Sequence, residues 1–181
     1  MVDAIDRLYP WQITDVHTSA QIGGGNCSIS FVVRDINTLP AVPSNTYPNP
    51  FPHFNSMQAT CTYRWDSTTI WDPPSISCDG GLDYQYFSIW FPYTPSNSDT
   101  SQLASNFTLQ LSQLLSLNYG DTSYYKDFSA DISFQSPGNL KGGCDTHSGM
   151  CTWSLKGSHT PTLITQDMII CQGDCDYRNW D

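Results

Sequence analysis

The chain has 181 residues, seven cysteines and a net charge of −10, because seventeen acidic residues stand against only seven lysines and arginines. A charge of this sign repels phosphate backbones and anionic lipid headgroups, so the composition argues against nucleic acids and membranes as partners. The length is that of one domain, and no stretch approaches the ~18 consecutive apolar residues that would span a bilayer. We therefore expect a single domain over residues 1–181.

The cysteine content indicates an oxidising compartment, where thiols pair and staple a loop-rich fold instead of staying reduced. All the acidic residues are aspartates, so the chain lacks glutamate, a strong helix former. The first residues, from Met1 to Ala4, are followed by acidic and polar residues and not by the apolar run of a signal peptide. We expect the mature chain of a secreted, extracellular protein.

Alternating apolar and polar residues predict five strands in the first half of the chain. They cover residues 11–16, 27–35, 57–65, 76–78 and 84–91. The segment from Gly23 to Asn26 predicts a hairpin connection between the first two strands. In the third strand, the period of two places the residues from Met57 to Trp65 that carry odd numbers on one face. Both faces of the fifth strand are apolar or aromatic, which predicts either a central strand or one face that binds a ligand.

A proline-rich segment, residues 38–56, separates the second predicted strand from the third. Prolines at positions 40, 43, 48, 50 and 52 remove backbone donors and favour extended, solvated backbone. We expect a long surface loop without regular pairing.

The second half of the chain also favours strands. Residues 107–115 fit both a helical period and a strand period, and a short helical turn is expected at residues 101–105. A clean alternation predicts a strand at residues 128–134, and residues 151–155, 162–165 and 167–171 are shorter candidate strands. Many short strands separated by turn residues indicate an all-β fold, namely an antiparallel β-sandwich or barrel with at most one short helix.

The spacing of four cysteines predicts two disulfides. Cys61 and Cys78 lie on consecutive predicted strands that a loop joins, a spacing compatible with neighbouring antiparallel strands. Closing a loop of that size contributes about 3 kcal/mol in the chain-entropy model. Cys144 and Cys151 flank a tight polar loop, and we pair them next.

Three cysteines remain, two of them in the carboxyl-terminal tail, residues 166–181. Either Cys171 pairs with Cys175 and leaves Cys27 free, or Cys27 bridges one of them and ties the tail to an early strand. The odd count indicates a free thiol or a bridge between two chains.

The order of these features resembles a secreted cysteine-rich domain of plant-associated fungi, typified by the Alternaria major allergen. The matching segments are residues 11–16, 28–35, 61–65, 76–78 and 106–111, with Cys144 and Cys151. The resemblance implies an all-β sandwich or barrel that is secreted, into the host apoplast where the fungus lives on a plant. It also favours a strand at residues 107–115.

The resemblance carries expectations about bridges and function as well. It implies the disulfide Cys61–Cys78 and another near Cys144–Cys151. In the typical allergen a further cysteine near the amino end joins two protomers, and by order Cys27 is its analogue, which implies a homodimer. Members of the family are allergens and effector-like or elicitor-like proteins, not an established enzyme class. The expected function is therefore non-catalytic binding of a host or extracellular protein or glycan.

This chain departs from the family at three points. They are the proline-rich loop, the length of the chain, and the extra cysteines Cys171 and Cys175. The departures bear on the dimer and on the last bridge.

No motif for catalysis or metal binding stands out. The four histidines, at positions 17, 53, 147 and 159, share no metal-ligand spacing, and no Gly-x-Ser-x-Gly elbow is present. Aspartates such as Asp174 and Asp176 are close in sequence, but turns are the ordinary place for this residue. We expect no catalytic residue, metal or cofactor. The alternative is a secreted hydrolase whose pair of aspartates meets only in the fold.

Aromatic residues offer a second alternative, a carbohydrate-binding module. Exposed Trp and Tyr side chains on a sheet stack on the apolar faces of sugar rings. The candidates are Trp65, Trp71, Tyr84, Tyr86 and Trp90. The competing interpretation is that these rings fill the core of a sandwich, where each buries about 150–250 Å². Trp71 lies in the most loop-like stretch of the five.

Two sequence triplets match the acceptor pattern for N-glycosylation. Their asparagines are Asn26 and Asn106, and both border predicted strands.

Overall fold

The computed structural model describes residues 8–42, 52–66, 75–82, 84–91, 104–173 and 175. In chain order its strands are β1 (Trp11–Gln21), β2 (Asn26–Asp35), β3 (Leu39–Pro40), β4 (His53–Phe54), β5 (Met57–Asp66), β6 (Ile76–Ser77), β7 (Gln85–Trp90), β8 (Asn106–Tyr119), β9 (Thr122–Gln135), β10 (Leu140–Asp145), β11 (Met150–Leu155), β12 (Thr162–Ile164) and β13 (Asp167–Gln172). A 3-10 turn, Gly157–His159, is the one helical element in this part of the chain. None of the described residues forms a helix with the length and apolar character that crossing a bilayer requires.

The strands form two antiparallel sheets. Sheet one has the order β10-β11-β1-β2-β5, and β12 pairs with the beginning of β1. Sheet two has the order β13-β9-β8-β7-β6. The short strands β3 and β4 pair with each other. The sequence prediction of a disulfide-stapled, antiparallel all-β fold is confirmed, in its sandwich form.

Every second side chain of the long strands points into the space between the sheets and fills it. In β2, for example, Ile29, Phe31 and Val33 are buried, while the residues between them face outward. Across the interface, the Trp11 ring meets the Phe87 ring edge-on, with 5.2 Å between ring centroids. Each such apolar side chain stabilises the fold by about 1.5–3 kcal/mol relative to leaving it in water. One continuous core therefore holds the two sheets together.

The two sheets are also joined at one edge. Thr60 in β5 and Asp79, just after β6, exchange two backbone hydrogen bonds of 2.7 and 2.8 Å. The adjacent residues Cys61 and Cys78 form a disulfide. This bridge therefore ties sheet one to sheet two, whereas the disulfide Cys144–Cys151 lies within the β10–β11 hairpin. Both pairs are those that the spacing predicts.

The remaining cysteines resolve the alternatives that the sequence leaves open. Cys171 pairs with Cys175, and Cys27 is a free thiol with 2% of its surface exposed. Burial raises the pKa of the Cys27 thiol above its ordinary value. The alternative in which Cys27 bridges the carboxyl-terminal tail is wrong. A bridge to a second protomer would require the Cys27 sulfur to leave the core.

One end of the interior is built from aromatic rings, and we call it the aromatic end. It consists of Tyr63, Trp65, Phe91, Phe107 and Phe134. The Tyr63 and Trp65 rings stack with 5.4 Å between centroids and 13° between planes. Phe91 contacts both of them and also Phe107, which contacts Phe134.

The opposite end of the interior contains a hydrogen-bonded polar group, the polar end, formed by Tyr9, Asp35, Asn37, Gln113 and Gln166. The Asp35 carboxylate is 3% exposed and accepts hydrogen bonds from the Asn37 backbone, the Asn37 side chain and Gln113 Nε2. Asn37 Nδ2 and Gln166 Nε2 both donate to the Tyr9 carbonyl. Burial raises the pKa of Asp35, although these hydrogen bonds oppose the rise. Because Gln113 belongs to β8 and Asp35 to β2, the group links the two sheets.

Two local features differ from the sequence prediction, and a third is tested only in part. Strand β10 was not predicted, because Gly142 and Gly143 are residues that strands usually lack. The proline-rich segment does pair at its base, where Leu39–Pro40 meets His53–Phe54 and buries Leu39 and Phe54. The helical turn expected at residues 101–105 falls partly outside the described residues, and Ala104 and Ser105 form a turn.

Candidate binding face

Strand β7 presents two different faces. Its inward residues Phe87 and Ile89 are fully buried, so the residues that alternate with them face solvent. These outward residues are Tyr86, Ser88 and Trp90. Tyr86 and Ser88 are half-buried, and Trp90 is 42% exposed. One face therefore packs in the core, and the other is exposed; that the exposed face binds a ligand stays a prediction.

The neighbouring strands extend this surface with polar side chains. Trp90 lies opposite Gln110 in β8, and Gln110 lies opposite Asp131 in β9. In the next row, Ser88 lies opposite Ser112. The outward residues Tyr86, Ser88, Trp90, Gln110, Ser112 and Asp131 are named here the sheet-two face. Tyr86 and Trp90 are four residues apart, which separates them by about 13 Å along the strand.

One long hydrogen bond joins two residues of this surface. Gln110 Nε2 donates to Asp131 Oδ1 at 3.4 Å, a distance that leaves both groups able to exchange this contact for a ligand hydroxyl. Beyond them, the hydroxyl groups of Thr108 and Ser133 share a hydrogen bond of 2.7 Å. The surface thus offers aromatic rings next to a carboxylate and an amide.

The charge of the sheet-two face is negative. Asp131 belongs to it, and Asp127 and Asp167 lie on the same side of sheet two. Partial burial raises the pKa of the Asp127 carboxyl. A negative surface disfavours anionic ligands and is compatible with neutral, hydroxyl-rich ones.

The other predicted ligand-binding aromatics have different positions. Tyr84 lies in the turn before β7 and is 48% exposed, so it adjoins the sheet-two face. Trp65 points into the aromatic end, half-buried against Tyr63, as the core interpretation expects. Trp71 lies outside the described residues. The structure therefore brings Tyr86 and Trp90 onto one surface and separates Trp65 from them.

The two glycosylation acceptors are both exposed. Asn26 begins β2 and Asn106 begins β8. The residue after Asn26 is the buried Cys27, and the hydroxyl of Ser28 contacts that of Ser19 at 2.8 Å.

Carboxylates with a raised pKa are the feature that a hydrolase site would show. Asp35 is one, but its burial and its three hydrogen bonds keep it from a substrate. Asp127 is another, and it lies on a sheet surface outside both of the concave sites described below. Asp174 and Asp176 lie outside the described residues. Within the described ranges, no group of three His, Cys or Asp side chains could hold a metal ion.

The described surface includes two concave sites of a few hundred Å³. One, of about 290 Å³, lies where β5 meets the turn before β7 and includes Gln58, Gly80 and Gln85. The other, of about 420 Å³, lies on the outer side of sheet one. Its lining residues are His17, Lys141, Gly142, Thr152, Trp153 and Ser154, and we call it the His17–Lys141 pocket. Sequence reasoning missed this pocket, because its residues come from three strands whose register cannot be derived from alternation.

Comparison with protein-family models, with curated proteins and with solved structures finds no match for this chain. The inferences about function therefore depend on the residues and geometry described above.

Proposed function

We propose that this protein is a secreted binding protein that acts on an extracellular target without catalysis, and that its sheet-two face binds a neutral polysaccharide. The observation that carries the proposal is the pair of outward aromatic rings, Tyr86 and Trp90, beside the amide of Gln110 and the carboxylate of Asp131. Rings of this kind cover the apolar faces of sugars, while amides and carboxylates bind sugar hydroxyls.

The sign of the charge supports a neutral ligand. A uronate or phosphate polymer would meet Asp127, Asp131 and Asp167 on this side of the molecule, and like charges repel it. A neutral chain has no such penalty, and its hydroxyl groups donate hydrogen bonds to the same carboxylates. The spacing of about 13 Å between Tyr86 and Trp90 leaves room for more than one sugar ring.

The biological setting that we propose follows the resemblance to effector-like and allergen-like domains of plant-associated fungi. The three disulfides fit an oxidising compartment. In that setting the polysaccharide belongs to a cell wall in the host apoplast. Infiltration of purified protein into leaves, scored for cell death or for suppressed defence, tests this setting separately from sugar binding.

Retention on insoluble polysaccharides tests the binding proposal directly. We expect wild-type protein to be retained on at least one of cellulose, chitin or β-1,3-glucan. Trp90→Ala is expected to weaken that retention about two- to tenfold, because stacking by an aromatic ring contributes about 0.5–1.5 kcal/mol. Tyr9→Ala is the matched control, since Tyr9 carries an exposed ring outside the sheet-two face. Equal retention of Trp90→Ala and wild type, or no retention on any neutral polysaccharide, would refute the proposal.

A further inference from the structure

The outer side of sheet one contains a β-bulge that sets the direction of His17. Thr14 pairs with Val32 and His17 pairs with Ser30, so β1 has one residue more than β2 between these two pairs. The extra residue is accommodated at Asp15, which has a φ of 53°. Such a bulge shifts the alternation of the strand. His17 consequently faces outward, while Val16 faces the core.

The register then places His17 in a row of polar side chains that crosses the sheet. Ser154 is the partner of both His17 and Lys141. Since neighbouring strands are about 4.8 Å apart, the backbones of His17 and Lys141 are separated by about 10 Å, with the Ser154 hydroxyl between them. Ser154 therefore lies at the base of the His17–Lys141 pocket, and His17 and Lys141 line its two sides.

Gly142 lets β10 approach β11 closely beside the pocket. Gly142 has a φ of 148°, and a Cβ at this position would collide with the carbonyl oxygen of Thr152. Only glycine fits there without strain. The pocket lies between a cation and an imidazole, and Thr152 and Ser154 also line it.

The pocket contains one permanent cation, Lys141, and an exposed acid, Asp15, lies two residues from His17. Among the described residues, the exposed cations are Arg34, Arg64 and Lys141, and all three face outward from sheet one. The nearby acid on β10, Asp145, is four residues from Lys141, and its carboxylate accepts hydrogen bonds from the backbones of His147 and Ser148.

We propose that the His17–Lys141 pocket binds the carboxylate of a uronic acid residue in an acidic polysaccharide. Lys141 supplies the positive charge, the His17 ring supplies an N–H donor, and the hydroxyls of Ser154 and Thr152 pair with sugar hydroxyls. The pocket goes beyond the function proposed above, because it lies on the opposite sheet and selects a charged ligand.

The residues favour a single carboxylate over a phosphate group. Phosphate sites use Arg forks, helix N-termini or several convergent backbone donors. The pocket instead has one permanent cation and neutral hydroxyls, which match the single charge of a carboxylate. The flat row that continues from His17 to Ser30 and Thr62 gives a linear sugar chain further hydroxyl partners.

Calorimetric titration of the full chain with oligomers of galacturonic acid tests this proposal. We expect measurable binding that weakens about five- to tenfold in Lys141→Met and in His17→Ala, because each variant removes one charge-assisted or ring N–H contact. Arg64→Ala is the matched control. It removes an exposed cation from the same side of sheet one but outside the pocket, and we expect less than a twofold change. Melting temperatures equal to that of wild type verify that the variants fold.

Three further results would overturn the proposal. Methyl-esterified oligomers that bind as tightly as the free acid would show that the carboxylate is not recognised. Arg64→Ala that weakens binding as much as Lys141→Met would show a diffuse charge effect instead of a pocket. Polyaspartate that binds as tightly as the uronate oligomer would identify an acidic protein surface as the partner.

Discussion

The two ends of the sandwich interior are held by different kinds of interaction. At the aromatic end, five rings contact one another through dispersion in stacked or tilted geometry, and any apolar side chain of similar volume retains part of that energy. At the polar end, one carboxylate accepts three directed hydrogen bonds, and only a group with acceptors in the same places replaces it. The difference predicts that substitutions of similar size have very unequal effects at the two ends.

Replacement of Asp35 by leucine is expected to have the largest effect. The Asn37 backbone N–H, Asn37 Nδ2 and Gln113 Nε2 would lose their acceptor in a buried site, and each such loss costs about 1–3 kcal/mol. Part of this is offset because a buried charge is removed, so we expect Asp35→Leu to lower the free energy of unfolding by about 3 kcal/mol, measured by urea denaturation.

Asp35→Asn is the matched control for that variant. It keeps an acceptor for Asn37, and its new N–H donors face Gln113, whose Oε1 is buried without a partner among the described residues. A reorientation of the Gln113 amide would pair the two groups, so we expect a change within about 1 kcal/mol of wild type. Equal stability of the leucine and asparagine variants would show that the hydrogen bonds do not hold this end.

At the aromatic end, Phe134→Leu is expected to cost less. Phe134 is fully buried against Phe107, and leucine is smaller but apolar. We expect a loss of about 1–2 kcal/mol in the same denaturation experiment, from the lost contact area and a small cavity. A loss larger than that of Asp35→Leu would reverse the proposed contrast between the two ends.

The sequence predicts the aromatic end better than the polar end. Alternation identified the strands that carry Tyr63, Phe91 and Phe134, because an apolar residue every second position is itself the signal for burial. The pattern around Phe107 also fits a helix, and only the family resemblance favoured a strand there. Alternation gave no sign of the polar end, since Asp35 resembles any aspartate at the end of a strand. Its burial depends on Gln113 reaching it from the other sheet, 78 residues along the chain.

The two candidate binding sites also differ in how far the sequence predicts them. The outward direction of Tyr86 and Trp90 follows from the period of two within β7 alone, so sequence reasoning could list them. The His17–Lys141 pocket needs the bulge at Asp15, the unpredicted strand β10 and the register across three strands. These features depend on tertiary pairing and not on local pattern.

The polar end also predicts a dependence of stability on pH. Burial raises the pKa of Asp35 in the folded state above the value of about 3.9 expected for the unfolded chain, so the folded protein binds this proton more tightly. The contribution of Asp35 is therefore fully present below about pH 3.9 and is lost as the pH rises through the raised pKa. We expect the free energy of unfolding of wild type, relative to Asp35→Asn, to increase as the pH falls from 7 towards 4.

Other aspartates titrate in the same range, which is why the difference from Asp35→Asn is the quantity to measure. Partial burial raises the pKa of Asp127, and hydrogen bonds from Ser148 and His147 lower the pKa of Asp145, but both groups are unchanged in the variant. Urea denaturation of the two proteins at several pH values therefore isolates the contribution of Asp35 to the free energy of unfolding. A difference in free energy of unfolding that stays constant, or that decreases on acidification, would contradict a raised pKa of Asp35 in the folded protein.

The smallest expected effect concerns the stacked pair at the aromatic end. Tyr63 and Trp65 are two residues apart in β5, so their side chains share one face, and their rings lie nearly parallel. Both are half-buried, so water already reaches part of each ring. A double-mutant cycle with Tyr63→Leu and Trp65→Leu removes the stacking while leaving apolar side chains in place. We expect a coupling energy of about 0.5–1.5 kcal/mol, the range for aromatic pairs. A coupling near zero would mean that the rings contribute only through the area they bury, and a coupling above about 2 kcal/mol would show that directed geometry matters at both ends of the interior.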